Sequence, residues 1–403
     1  MLTPQQFGAI GNGGSHPLSG VYPSLAAAQT VYPFAGALTD ELDWCGIQKA
    51  VDTARYQWQT PDSDFQIGKT VAIPAGIYRI NKTVQIKDMF GFALAGVNGM
   101  PQIKWYGDAS SPMFLLGNCD SCRMENLWLY HGSSSANSVL SAVDLQNGGN
   151  ASTWGPTNWT FRHIHVGGFN LGTFQYCFRI LGASGTGGDA NNEYHRWERC
   201  NFRSYSEAGL LILDATQAHQ LVLTDCGIQG DSTGKCGIRN TGVITRLILE
   251  RCAGGAHTQY DFDFTNNAAH QVTIDQWNSE NSARLCQLGT GLFGSPAMLR
   301  ITNCRWESPS NIAADGYIVR GWGPGPLVFT GNQIASNVVG RQPKVKWTGV
   351  ATGPSSTLIF ECNRFDDTGQ DYSADAYDVT DTTVRKAGNY YWDAGDNKYI
   401  TFA

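Results

Sequence analysis

The sequence predicts an all-β solenoid, a parallel β-helix with about 26 residues per coil, and three observations carry that expectation. First, a short pattern recurs at Trp197–Phe202, Leu223–Ile228, Leu249–Gly254, Ile274–Ser279 and Ile301–Trp306, with Cys or Trp in its fourth place. From Cys200 through Cys226, Cys252 and Trp277 to Cys304 the steps are 26, 26, 25 and 27 residues. Second, another short apolar strand falls between the copies: Phe178–Ile180, Leu210–Leu213, Tyr260–Phe264, Tyr317–Val319 and Lys344–Trp347. Gly, Asn, Asp and Ser turns bound these runs, as strands require. Third, Gly fills 47 positions and only 15% of residues are charged, which argues against a helical bundle or coiled coil.

Stacked coils place equivalent residues ~4.8 Å apart. The Cys column is then a ladder of small apolar thiols inside the coil. Weaker copies at Met124–Leu129, Phe161–Val166, Phe329–Ile334 and Phe360–Phe365 extend the solenoid in both directions. The expected division is an N-terminal cap over residues 1–70, the β-helix over 71–365 and a closing or assembly segment over 366–403. One helix is expected in the cap, from Asp40 to about Tyr56. Trp44, Ile47, Val51 and Ala54 follow helical spacing, and Thr39 or Asp40 can cap its first turn. Such a helix covers the open end of the first coil.

Two coils are long, because Leu127 to Ile164 is 37 residues and Ile164 to Cys200 is 36. The extra residues, 147–157 and 182–192, fall at one corner, where solenoids commonly build a binding wall. Trp154 is placed there either to stack on a ring or to anchor the loop, and Asp189 and Glu193 are minor candidates for the chemistry.

Composition excludes other classes. The chain has 403 residues, 42% of them hydrophobic, and a net charge of −6, so it can bury a core. No apolar run approaches ~18 residues, so no membrane insertion is expected. Met1-Leu2-Thr3-Pro4 carries no signal-peptide pattern. Without a Lys/Arg cluster, nucleic acid is not an expected partner. The 11 cysteines are an odd number in a long chain and read mostly as free, buried thiols. Cys119-Asp-Ser-Cys122 is a lone CxxC, weak as a zinc site. His163 and His165 lie two apart in an expected strand, which sends both rings to one solvated face. No metal or cofactor is expected.

Phe7-Gly-Ala-Ile-Gly-Asn-Gly13, Thr39-Asp-Glu-Leu-Asp-Trp-Cys-Gly-Ile-Gln-Lys-Ala50 and Val71-Ala-Ile-Pro-Ala-Gly-Ile-Tyr78 together resemble the opening of the pectate-lyase-superfamily right-handed parallel β-helix. Polysaccharide depolymerases and phage tailspikes share that opening. Residues 15–37 separate motif halves that are usually adjacent, and Asn12 stands where Asp is frequent. The resemblance covers roughly Phe7 to Gly96 and implies the fold more strongly than any activity. Of the polygalacturonase motifs, Asn118-Cys-Asp120 and Asp366-Asp367 match two elements, and the Gly-His-Gly and Arg-Ile-Lys elements are missing. The pectate-lyase calcium cluster and catalytic Arg have no recognisable counterpart.

The repeat also nominates a site. Two places before the Cys column stand Glu198, Thr224, Glu250, Asp275 and Thr302; three places after it stand Arg203, Gln229, Gly255, Glu280 and Glu307. Alternation around inward Phe202, Ile228 and Trp306 turns the second set outwards. Glu280 over Glu307, or Glu250 over Asp275, then forms a carboxylate pair ~5 Å apart. Such a pair suits a glycosidase, as acid and nucleophile at ~5–5.5 Å or acid and base at ~6.5–9.5 Å. Glu280 with Glu307 ranks first because no Arg is seen in its adjacent coils. Gly254-Gly255 leaves open surface beside it, and Arg203, Gln229, Asp231 and His257 are the expected substrate-binding partners. Outward stacks also occur with no catalytic role, and Arg199, Asp225 and Arg251 form a column able to neutralise the carboxylates.

The expected function is recognition and hydrolysis of a bacterial capsular or lipopolysaccharide glycan by a phage or prophage tailspike, on the virion, with a homotrimer implied by the resemblance. A lyase acting on a uronic-acid glycan through His257, or through a Tyr with an Arg, is the first alternative. A binding-only receptor-recognition protein is the second, and a secreted bacterial enzyme is the alternative location.

Overall fold

The computed structural model describes residues 1–57, 66–132, 139–146, 156–168, 172–182, 192–213, 218–231, 233–242, 244–264, 269–288, 298–307, 312, 314–322, 325–336, 344–348, 356–367, 377–380, 382–393 and 398–402. The fold is a right-handed parallel β-helix of about nine turns, about 27 residues each, with a short N-terminal helix. The chain packs as two compact units, Met1–Ser206 and Glu207–Ala403.

In the first unit the opening motif closes onto the first coil. Leu2 bridges Val71 and Asn12 bridges Ile77, both in parallel. The helix spans Leu42–Ala54 and buries Trp44, Ile47, Val51 and Ala54, as their spacing predicts. Its cap differs from expectation. Glu41 is the N-cap residue and makes no side-chain cap bond. The Asp40 carboxylate instead accepts from the Gly36 and Ala37 amides, and Glu41 pairs with Arg79 at 2.8 Å. Buried Asp43 ties three segments together by accepting from the amides of Ile10 (2.6 Å), Gly11 (3.0 Å) and Arg79 (2.8 Å). The opening motif and the helix motif therefore belong to one polar joint, despite the residues between them. Trp44 Nε1 donates to the Thr83 carbonyl and seats the helix over the first coil.

Parallel strands then stack coil on coil. Arg123–His131 pairs with Ala93–Val97 and Gln102–Trp105 on one side and with Thr160–Val166 on the other. Thr160–Val166 continues to Arg196–Glu198 and Asn201–Phe202. The interior is an aromatic stack, with Phe161 lying 5.6 Å from Trp159 and 5.4 Å from Trp197, the rings near parallel. Offset rings in such a stack add to area burial, by about 0.5–1.5 kcal/mol per pair.

The second unit repeats three short strands per coil. Leu221–Thr224, Ile244–Glu250, Ala269–Asp275, Met298–Thr302, Leu327–Thr330 and Ser356–Glu361 form one ladder. After each comes a residue in the left-handed region that turns the corner: Asp225, Arg251, Gln276, Asn303 and Cys362, with Gly331 between the last two. The next place is the predicted Cys column, and it is buried as expected. Two of its thiols donate to a carbonyl of the preceding coil, Cys252 to Leu223 and Cys304 to Ile274. In the final coils the same place holds Asn332, Asn363 and Asn389, whose amides donate to the equivalent carbonyls of Ile301, Phe329 and Phe360. The thiol ladder thus becomes an asparagine ladder at constant hydrogen-bond logic.

Parallel pairing runs on past Asp366. Thr382–Ala387 pairs with Ser356–Glu361, and Asn389–Asp393 pairs with Arg364–Asp367. Lys398–Phe402 then returns antiparallel to Asn389–Asp393.

Candidate functional site

Outward side chains repeat by coil, so register decides which of them meet. In the first unit Gln102, Trp128, His165 and Asn201 are successive partners in one column. Two residues further along each strand a second column holds Arg79, Lys104 and Tyr130. The first column and Tyr130 of the second line a cleft of about 630 Å³ together with Val166, Gly167, Gly168 and Arg203.

The walls are fixed by hydrogen bonds that leave the ring faces available. Trp128 Nε1 donates to the Gly167 carbonyl at 2.7 Å, so the indole serves as a platform rather than a donor. The Tyr130 hydroxyl donates to Gln102 Oε1 at 3.1 Å, and the two rings stand 5.7 Å apart. Gly167 has φ +78°, and a Cβ there would lie 2.2 Å from the Arg203 carbonyl oxygen, so only glycine lets the Arg203 coil approach. Ser204 Oγ donates to the Gly168 carbonyl at 2.7 Å and anchors the same bend. Burial first, then the charges of His163 and Arg203, lower the pKa of His165, which keeps its imidazole neutral near pH 7. Burial pushes the Tyr130 phenol up, with Lys104 opposing.

His163 and His165 do not share a face. His163 takes the left-handed corner conformation (φ 51°), which breaks the strand alternation, and its Nδ1 lies 3.1 Å from Asn126 Oδ1. His165 alone opens into the cleft.

The carboxylate columns of the second unit stand in the expected register. Glu250 pairs with Asp275, and Gly255, Glu280 and Glu307 follow one another in adjacent coils. Their surroundings differ from expectation in four ways. Arg305 lies within Glu307's own strand and pairs with it at 2.5 Å, so an Arg does neighbour the first-ranked pair. Asp275 is engaged by Thr302 Oγ1 (2.7 Å) and Asn303 Nδ2 (3.0 Å) rather than by a second carboxylate. The Arg251 guanidinium pairs with Asp225 at 2.9 Å, so these two satisfy each other and leave Glu250 exposed. Gly254 and Gly255 are not open surface: a Cβ on Gly255 would lie 2.0 Å from the Glu280 carbonyl oxygen, at φ +133°.

His257 also departs from its expected place. It is wholly buried beneath Gly230, out of a glycan's reach, with Nδ1 2.6 Å from Asp261 Oδ1. Buried Asp261 further accepts from Trp277 Nε1 (3.0 Å), Ser282 Oγ (2.5 Å) and Ser279 Oγ. This is a satisfied interior cluster, which a buried charge demands. Asp231 takes the left-handed conformation (φ 47°), and Gln229 pairs in register with Gly255. Glu193 forms a parallel bridge with Thr157. Trp154 and Asp189 lie outside the described residues, as do the long-coil insertions except at their ends. Of the expected binding residues that are described, only Arg203 lines the cleft. Trp128, Tyr130, His165 and Asn201 were not anticipated, although carrying the Arg203 column back two coils reaches Tyr130.

No protein-family model and no curated protein matches this chain. Among solved structures, PfbA, a surface adhesin of Streptococcus pneumoniae, is 10% identical over 99% of this chain and 93% of its own, with a TM-score of 0.51. The A-module of the mannuronan C-5 epimerase AlgE6 of Azotobacter vinelandii is 14% identical over 97% and 99%, with a TM-score of 0.46. Tailspike protein gp49 of Pseudomonas phage LKA1 is 15% identical over 90% and 81%, with a TM-score of 0.40. At such identities the likeness is one of fold. An adhesin, an epimerase and a tailspike share it, and it does not choose among their activities.

Proposed function

We propose that this chain is a tailspike-type depolymerase that holds a bacterial capsular or lipopolysaccharide glycan in the Trp128 cleft and shortens it. The observation that carries the reading is the cleft itself: an indole locked by its own N–H, a second ring beside it, and amide, imidazole and guanidinium groups at the edges. Sugars are bound in this way, with a ring face on an aromatic side chain and hydroxyls on polar groups around it. The opening motif supports the same reading by resemblance, which also implies a homotrimer on a virion.

Two reactions compete for the shortening step. In hydrolysis one of Glu280 and Glu307 protonates the glycosidic oxygen, the C–O bond breaks, and water adds to the sugar carbon with help from the other carboxylate. The shared column of the two residues favours it. In elimination a base removes the proton beside a sugar carboxylate, the C–H electrons form a C=C bond, and the glycosidic oxygen leaves with a proton. Tyr130, His165 and Arg203 around a cleft whose described lining holds no carboxylate favour that route.

A time course of glycan length over a bacterial panel, with ultraviolet absorbance followed, tests the proposal. Shortening is expected, slowed at least tenfold by Trp128→Ala. Shortening without absorbance and lost in Glu280→Gln assigns hydrolysis; shortening with absorbance assigns elimination. A receptor glycan that is held and never shortened would reduce the protein to an adhesin.

A further inference from the structure

We propose that Cys119 and Cys122 form a redox-active thiol pair, which closes to a disulfide when the folded protein meets a small disulfide oxidant such as oxidised glutathione. A zinc reading of this CxxC fails on ligand number, because among the described residues no third His, Cys, Asp or Glu gathers to complete a metal site. Two thiols that face each other are what the motif supplies. Asn118 (φ 47°) and Ser121 (φ 56°) take the left-handed conformation immediately before each cysteine, so the coil turns two corners in quick succession. Both corners point the next side chain inward, and both thiols are buried. Cys119 Sγ lies 3.5 Å from the Ile86 carbonyl oxygen and Cys122 Sγ 3.6 Å from that of Met89, both in the preceding coil. The two thiols are hydrogen-bonded to each other.

The backbone around the pair is clamped from both neighbouring coils. The Asp120 amide donates to the Met89 carbonyl at 3.0 Å, and the Arg123 amide to that of Phe92 at 2.9 Å. From the other side the Thr157 amide donates to the Cys119 carbonyl at 2.8 Å, and the Thr160 amide to that of Cys122 at 2.9 Å. Little chain entropy is therefore left to lose when the sulfurs join. The stacked thiols of the second unit are placed differently. Cys226 and Cys252 sit between the paired positions Thr224–Glu250 and Gly227–Ala253. That register spaces them by one strand separation, ~4.8 Å, whereas a disulfide needs Cβ atoms ~3.8 Å apart. The corner pair lies within one coil, where that spacing does not apply. In the exchange one cysteine thiolate attacks the small disulfide, forming a mixed disulfide and expelling a small thiolate. The second cysteine thiolate attacks the protein sulfur of the mixed disulfide and expels the other. Two electrons pass to the oxidant, and the two thiol protons end on the two small thiols released. Burial, together with the neighbouring thiol, holds the Cys119 thiol well above its ordinary range. Thiolate is therefore scarce, and closure takes hours rather than minutes.

The test incubates the folded protein in glutathione buffers of increasing oxidised fraction, followed by acid quenching, alkylation and peptide mass mapping. The expected product is a peptide carrying Cys119 and Cys122 that is lighter by two hydrogens and takes up no alkyl group, while the other buried cysteines are alkylated. The exposed Cys362 takes up glutathione and reports that the oxidant is active. An excess of a small dithiol should return both cysteines of the pair to the alkylated form. Cys122→Ser keeps a donor for the Met89 carbonyl and should abolish the loss of hydrogens. Reading the unmodified protein by mass makes the result independent of how that variant folds. Cys119 and Cys122 that remain alkylated at ratios which cap Cys362 and leave the fold intact overturn the proposal. A bridge between Cys226 and Cys252 in place of the corner pair, or a lasting glutathione adduct on Cys119 or Cys122 of the unmodified protein, overturns it as well.

Discussion

His195 is a base that the interior keeps unprotonated. Its ring is wholly buried in the first unit, 6.1 Å from Trp197, with Nδ1 accepting from the Trp159 amide at 3.4 Å. Burial lowers its pKa from 6.5 to about 3. In the unfolded chain the same imidazole takes up a proton near 6.5, so between these values the unfolded state binds more protons. Stability must then rise with pH across that window, and it is lost as pH falls from about 6.5 towards 3. The slope from this one residue is about 1.4 kcal/mol per pH unit. His195→Gln, which keeps a hydrogen-bonding side chain without a titrating group, should flatten the acid limb of unfolding free energy against pH by up to that amount. At pH 8 it should cost about 1 kcal/mol for the imperfect fit. Parallel acid limbs in the two proteins would mean that the ring is protonated in the folded state.

At the scale of the element, the column of thiols and asparagines makes a sharper prediction than any single strand. Asn363 Nδ2 donates to the Phe329 carbonyl at 2.9 Å, and Asn363 Oδ1 accepts from the Asn332 backbone amide at 3.1 Å. Asn363→Ala strands both partners inside the coil, and each orphaned buried group costs about 1–3 kcal/mol. Asn363→Cys restores what the upper coils use, since Cys304 reaches the equivalent carbonyl through its S–H. Thermal or denaturant melts should therefore rank the wild type above Asn363→Cys, and Asn363→Cys above Asn363→Ala. An alanine variant as stable as the cysteine one would show that the column is held by packing alone. The sequence discloses this ladder only in part. Cys recurs visibly, but the change to Asn conserves hydrogen-bond donation rather than residue type, and a search for like residues stops at Cys304.

For the molecule as a whole, period was the legible quantity and reach was not. Counting 26 residues per coil placed Glu280 over Glu307 and Glu250 over Asp275, the register that the strands adopt. It could not tell that His257 turns inward to Asp261, because a buried His–Asp pair and an exposed one have the same spacing in sequence. Nor could it find the cleft: the steps from Leu127 to Ile164 and Cys200 already set Trp128 over His165 and Asn201, but period does not say which outward column is recessed. The thiols were legible throughout, and they allow a test of the interior in solution. All 11 cysteines are free, ten of them are buried and only Cys362 is exposed. Burial pushes the Cys45 and Cys304 thiols up to about 12, and the thiolate is the reactive form. A chromogenic disulfide reagent should therefore titrate about one thiol per native chain within minutes and 11 in denaturant. Cys362→Ser should remove the fast thiol and nothing else. In a solenoid each coil is covered by its neighbours, so the slow thiols should follow cooperative opening and accelerate together near the unfolding midpoint. Several fast thiols in the native protein would place part of the Cys column at the surface and break the inward assignment on which the outward columns depend.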